Sequence, residues 1–164
     1  EDYAGRVGRY WSEGTGMPGI DGTNRKWPWS AAFVSWVAKR AGAGDRFRYS
    51  TQHSVFISLA IRDRAKKRLE ASYWAYRLDE KSPQVGDIVC WGREDGVDYD
   101  HQKEGDYYGH SDIVVEVFDD HVDIVGGNVG QSVTRRPLLL DADGRLRPVV
   151  VSGENLFALM KIRL

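Results

Sequence analysis

The 164-residue chain has one cysteine, Cys90, so no disulfide can close within it, and its cysteine usage leaves the redox compartment open. It has no apolar run near the roughly twenty residues that a membrane-spanning helix requires, and no membrane partner is expected. It also lacks a charge excess: 23 Lys and Arg against 24 Asp and Glu give a formal net charge of −1, which offers no field for nucleic acid. The four His and single Cys fall at no recognisable zinc spacing, and the expectation is a site without metal or cofactor. There is no signal peptide, and the opening Glu1-Asp2-Tyr3 carries no Met, so the chain reads as a mature fragment or a domain cut from a longer protein.

What is present suits one substantial core. With 41% hydrophobic residues and six Trp, a single domain over 1–164 is expected, as a monomer. Residues 1–12 place Tyr3, Val7, Tyr10 and Trp11 on one side of a short helix, and the Gly-rich stretch 14–24 reads as loop. Between Ala31 and Ala41, Phe33, Val34, Val37 and Ala38 recur at helical spacing, and Gly42 follows as a stop. A further helix is expected from His53 to Leu69, with the basic run Arg62 to Arg68 as a solvated face.

After Pro83 the texture changes to short β-branched runs at 88–91, 111–118, 122–126, 133–140, 149–151 and 156–162. Asp119-Asp120 and Asp141-Ala142-Asp143-Gly144 supply hairpin turns. Helices first and strands afterwards predict an α+β domain, with N-terminal helices packed on a small antiparallel sheet or half-barrel.

The segment Trp27-Pro28-Trp29-Ser30-Ala31-Ala32-Phe33 puts a hydroxyl where an aromatic loop turns into an apolar helix. Serine is a preferred N-cap, and a cap alone would explain it, although Phe33 three residues on excludes a capping box. As a nucleophile it would meet unpaired N–H groups and the positive end of the helix dipole, both favouring developing negative charge. Gly109-His110-Ser111-Asp112 and Gly126-Gly127-Asn128 follow in chain order. Acyl transfer by a hydroxyl needs a base and a group that fixes its imidazole, and His110 and Asn128 fit those roles. Asp112, two residues from His110 and on the same strand face, is the alternative orienter. Taken singly, His110 could be held by a backbone carbonyl and the glycines could form a bulge.

These segments resemble the NlpC/P60 and CHAP group of papain-like cell-wall amidases and peptidases, and within it the bacterial domain of unknown function DUF2272. In that pattern a Trp-Pro-Trp-Cys-Ala-Ala-Phe-like helix start carries the nucleophile, a Gly-His strand start the base, and a Gly-Gly-Asn-like segment ends a neighbouring strand. Pro83-Gln84-Val85-Gly86-Asp87-Ile88-Val89 resembles the lead into the group's first barrel strand. The ordered set spans about residues 25 to 130 and implies a papain-like fold. Because the group's third residue comes from the next strand, the resemblance favours Asn128 over Asp112.

The departure is Ser30 where the group has cysteine. A thiol can be pre-ionised, whereas a hydroxyl keeps its proton until a base removes it during attack, so serine demands better geometry. A working Ser-His enzyme, a binding module that has lost turnover and a Cys-to-Ser replacement are the three readings.

Other residues complete the expectation. The backbone N–H of Ser30 or Ala31 would serve an oxyanion, with His53 or Tyr10 as a second donor, while His53 at a helix start also reads as a capping residue. Trp27, Trp29 and Trp91 are candidates for lining a substrate cleft, in competition with core packing. Cys90 reads as a small core residue, with a nucleophile as its rival role. The acidic loop from Arg93 to Tyr108 does not meet the twelve-position Ca²⁺ pattern and reads as a solvated specificity loop beside His110.

The resemblance implies a peptidoglycan hydrolase, an amidase or endopeptidase of stem peptides, working in the periplasm or after secretion. An antibacterial effector role would add an immunity protein as partner. The alternatives are a non-catalytic binder of wall fragments or peptides and an acyltransferase on the same scaffold.

Overall fold

A computed structural model describes residues 2–163; Glu1 and Leu164, the ends of the expected domain, lie outside the described residues. Helix α1 (Tyr3–Arg9) starts where the Asp2 carboxylate accepts from the Gly5 N–H at 2.8 Å. It runs into a π-helical turn, Tyr10–Thr15, longer than the helix expected to residue 12, and ends at Gly16 with φ 74°. Gly14 lets this turn press on the next helix, since a Cβ there would sit 2.8 Å from the Ala32 carbonyl oxygen.

Helix α2 (Ser30–Arg40) has Trp29, not Ser30, at its cap position; the Trp29 carbonyl accepts from the Phe33 N–H at 2.9 Å. Ser30 is therefore the first helical residue, and its side chain is free of capping duty. Helix α3 (His53–Ala65) stops short of the expected Leu69. The chain turns through Lys67 at φ 52°, and the Arg68 N–H returns to the Asp63 carbonyl at 2.9 Å, closing the helix end.

Seven strands form one antiparallel sheet: β1 (Tyr73–Tyr76), β2 (Ile88–Gly92), β3 (Gly109–Val117), β4 (His121–Val129), β5 (Ser132–Leu139), β6 (Val150–Val151) and β7 (Glu154–Ile162). Their order is β1-β7-β2-β3-β4-β5, with β6 pairing β7. The α+β class is as expected, but the sheet is larger, because β1 has no alternating pattern long enough to announce itself. Residues 141–144 and the bridge between Leu140 and Leu146 form the expected turn after β5.

Strand β2 is buried along its whole length, and its side chains divide between two cores. Ile88 and Cys90 join Val34, Phe56, Ile57, Ala158 and Met160 beneath the helices, whereas Val89 and Trp91 join Val114, Ile124, Leu138 and Leu159 on the other face. That alternation is the period-two pleat of a central strand. Cys90 is fully enclosed, and burial pushes its thiol well above the ordinary range, which suits a core role.

The Gly86-Asp87 pair anchors the start of β2. Gly86 has φ 92°, and the buried Asp87 carboxylate accepts from the N–H groups of Gln84 at 2.8 Å and Ile162 at 2.9 Å and from the Lys161 ammonium at 2.5 Å. This part of the motif set ties β2 to β7 and is architectural.

Candidate active site

Two helix starts meet. Ser30 opens α2, His53 opens α3, and the Ser30 hydroxyl lies 2.7 Å from Nε2 of His53. The hydroxyl's hydrogen-bond partner is thus His53, the residue read as a cap or second donor. No side-chain cap bond forms at the start of α3. Burial first, then the neighbouring His110 and the charge of Arg93, push the His53 imidazole well below its ordinary value of 6.5. The positive end of α3 acts in the same direction. His53 is consequently neutral near pH 7, with a lone pair able to accept a proton.

His110 stands beside this pair, its ring centre 5.2 Å from that of His53. Its Nε2 is 3.2 Å from Oδ1 of Asp112, and both side chains are buried. The orienting contact of His110 is therefore made by Asp112, the alternative from its own strand. Asn128 is at φ 59° near the end of β4, with its Oδ1 buried and unpartnered among the described residues. A glycine explains the outcome. A Cβ on Gly126 would collide with the Asp112 carboxylate oxygen and lie 3.0 Å from His110 Nε2, so β4 leaves the two side chains room to meet. The register of β4 on β5 shifts between Gly126 and Val129, and a Cβ on Gly127 would sit 2.6 Å from that of Phe33, so the bulged strand also lies close under α2.

Asp112 Oδ2 accepts two further bonds, from Trp91 Nε1 and from Arg136 Nη2, each at 2.8 Å. Burial pushes the Asp112 carboxyl up, but its bond to His110 and the charges of His110 and Arg136 outweigh this and hold it below its ordinary 3.8. The sequence reading missed Arg136. It sits on β5, and only the long-range register of the sheet brings it to β3.

Ser30 and His53 line a cleft of about 520 Å³ with Trp11, Trp27, Pro28 and Gly109. Trp27 remains 52% exposed, so its ring face is available to a ligand. Trp29 and Trp91 do not line it. Trp29 is buried against Tyr10, with ring centres 5.6 Å apart, and Trp91 lies in the second core. Tyr10 is likewise a core residue.

The loop after β2 gives the cleft Arg93, Glu94, Asp106, Tyr107 and Tyr108. It is pinned at its base, where the Arg93 N–H donates to the Tyr108 carbonyl at 2.9 Å and the Arg93 guanidinium pairs with Glu154 at 2.6 Å. Two of its carboxylates are held by cations, Asp100 by Arg77 at 2.6 Å and Glu94 by Lys103 at 3.3 Å. Among the described residues no three His, Cys, Asp or Glu side chains gather to hold a metal ion, and no helix is long and apolar enough to cross a membrane.

The chemistry available is that of an alcohol bonded to a neutral imidazole at a helix start, with a second, carboxylate-held imidazole alongside. A family profile described as an uncharacterized protein conserved in bacteria, DUF2272, matches residues 3–157. No curated protein and no solved structure gives a significant match.

Proposed function

We propose that this chain, which belongs to the DUF2272 family, is a serine hydrolase that cleaves amide bonds in peptidoglycan stem peptides. The observation that carries the reading is the 2.7 Å bond between the Ser30 hydroxyl and His53 Nε2, in the wall of an open cleft. Ser30 attacks the amide carbonyl as its proton passes to His53, and the oxyanion meets the free N–H groups of the first turn of α2. The amine leaves with the proton that His53 took up, forming an acyl ester on Ser30, and water, giving a proton to His53 as it attacks, then releases the acid. In this scheme His110, anchored by Asp112 and enclosed beside the His53 ring, helps to hold the base in place.

The substrate class rests on the ordered resemblance to the NlpC/P60 and CHAP group. Ser30, His110 and the Gly-Gly-Asn strand do converge, which supports a papain-like arrangement. The hydroxyl engages an imidazole and is not tied back to its own helix, which favours turnover over a binding module. On this reading the substrate lies outside the cytoplasm, so the domain acts in the periplasm or after secretion, and an immunity protein is the partner expected of an effector.

The test is digestion of purified peptidoglycan by the wild type, Ser30→Ala and Ser30→Cys, with products resolved by mass spectrometry. New amine and acid ends are expected from the wild type and not from Ser30→Ala. Identical products from all three, or none from any, would overturn the reading, and transfer to an added amine would show an acyltransferase.

A further inference from the structure

Asp112 has three side-chain donors in a buried setting, and they divide unequally between its oxygens. Trp91 Nε1 and Arg136 Nη2 both donate to Oδ2, each at 2.8 Å, while Oδ1 meets only the ring of His110. Arg136 reaches Asp112 from β5 across the intervening strand β4. Arg136 pairs with Ile124, and Gly126, two residues on, pairs with Thr134, so the guanidinium crosses β4 on a diagonal. A side chain on Gly126 would fill the space beside Asp112. The guanidinium also lies over the Trp91 ring, 5.2 Å from its centre, so the two Oδ2 donors brace each other.

We propose that Arg136 and Trp91 are positioning residues that set the orientation and tautomer of His110 by locking the Asp112 carboxylate. With Oδ2 engaged twice, the carboxylate cannot rotate without losing two charge-assisted bonds, so Oδ1 stays aimed at Nε2 of His110. A carboxylate oxygen only accepts, so Nε2 carries the hydrogen of the neutral ring and its Nδ1 keeps the lone pair. His110 Nδ1 is buried without a partner among the described residues and is the acceptor this lock leaves free. The groups that bear on the ring are Asp112 on its own strand, His53 on α3, and Arg136 on β5 through the carboxylate. The catalytic consequence rests on the hydrolase reading above; the structural role does not.

The experiment is ¹⁵N NMR of the histidine rings in the wild type, Arg136→Met, Arg136→Lys and Trp91→Phe. The wild type is expected to show His110 as the Nε2–H tautomer. Arg136→Met and Trp91→Phe are expected to give a tautomer mixture, with partial recovery in Arg136→Lys. Trp91→Phe keeps an aromatic ring in the core while removing the indole N–H, so it gives the reading if the Arg136→Met protein does not fold. Where hydrolysis is measurable, kcat should fall roughly 10- to 100-fold in Arg136→Met, as for loss of one charged hydrogen bond, with KM little changed. An unchanged His110 spectrum in both variants overturns the proposal. A changed spectrum in a protein that cleaves nothing upholds the lock and removes the hydrolase reading.

Discussion

Ser30 and His53 are each the first residue of a helix, and their side chains meet at 2.7 Å where the two helix starts converge. The alcohol and its acceptor are thereby held by two rigid elements, and the second imidazole, His110, comes from the sheet.

That division predicts defects of different size. His53→Gln should lower cleavage of both an amide and an activated nitrophenyl ester by about 10²- to 10⁴-fold, because attack by Ser30 is impaired in each. His110→Gln should lower both by a smaller factor, because it disturbs the packing beside the base while Ser30 and His53 remain. A loss in His110→Gln as large as that in His53→Gln would reject the assignment, and stopped-flow acylation rates provide the measurement.

Stability should respond to acid through His53. Its folded pKa is depressed below 6.5, so the unfolded chain binds this proton first, and the stabilisation is complete above pH 6.5. As pH falls below that point, the contribution is lost at up to roughly 1.4 kcal/mol per pH unit until the folded pKa is reached. Urea denaturation between pH 7 and 5 should show the decline in the wild type and a shallower one in His53→Gln.

Gly126→Ala should disturb the site without asking for a forbidden backbone. Its added methyl meets the Asp112 carboxylate and the His110 ring, and overpacking of this kind costs about 1–3 kcal/mol. A urea midpoint lowered accordingly, with activity reduced under conditions where the protein is folded, is the expected result.

Lys161→Met should destabilise by about 3–5 kcal/mol, because it strands the buried Asp87 charge. Burial already holds the Asp87 carboxyl above its ordinary 3.8. Adding Asp87→Asn to Lys161→Met should return part of the loss, measured as a double-mutant cycle in thermal unfolding.

Trp27→Ala should raise KM for wall fragments and leave the melting temperature nearly unchanged, since half of this side chain faces solvent at the cleft. Isothermal titration with a stem peptide would check the binding part directly.

Local patterns carried much of this architecture. The apolar spacing from Phe33 to Ala38 foretold α2, and the β-branched runs foretold six of the seven strands, because each records which face of one element is buried. The convergence of Ser30, His53 and His110 was legible only in part. Chain order pointed to Ser30 and His110, while the bond between Ser30 and His53 depends on how α3 docks, which no local pattern states. Asp112 was visible as a neighbour of His110, but its selection over Asn128 comes from the absence of a side chain at Gly126 on another strand. Arg136 and β1 were hidden for the same reason: both depend on partners far away in sequence.

The place of β7 between β1 and β2 has a consequence for biosynthesis. Residues 154–162 are translated well over a hundred residues after Ser30, yet they fill an interior position of the sheet on which the helices rest. A ribosome-bound chain ending before them holds its alcohol and both imidazoles without the strand that braces their support, so the reactive arrangement matures only once residue 162 has left the ribosome.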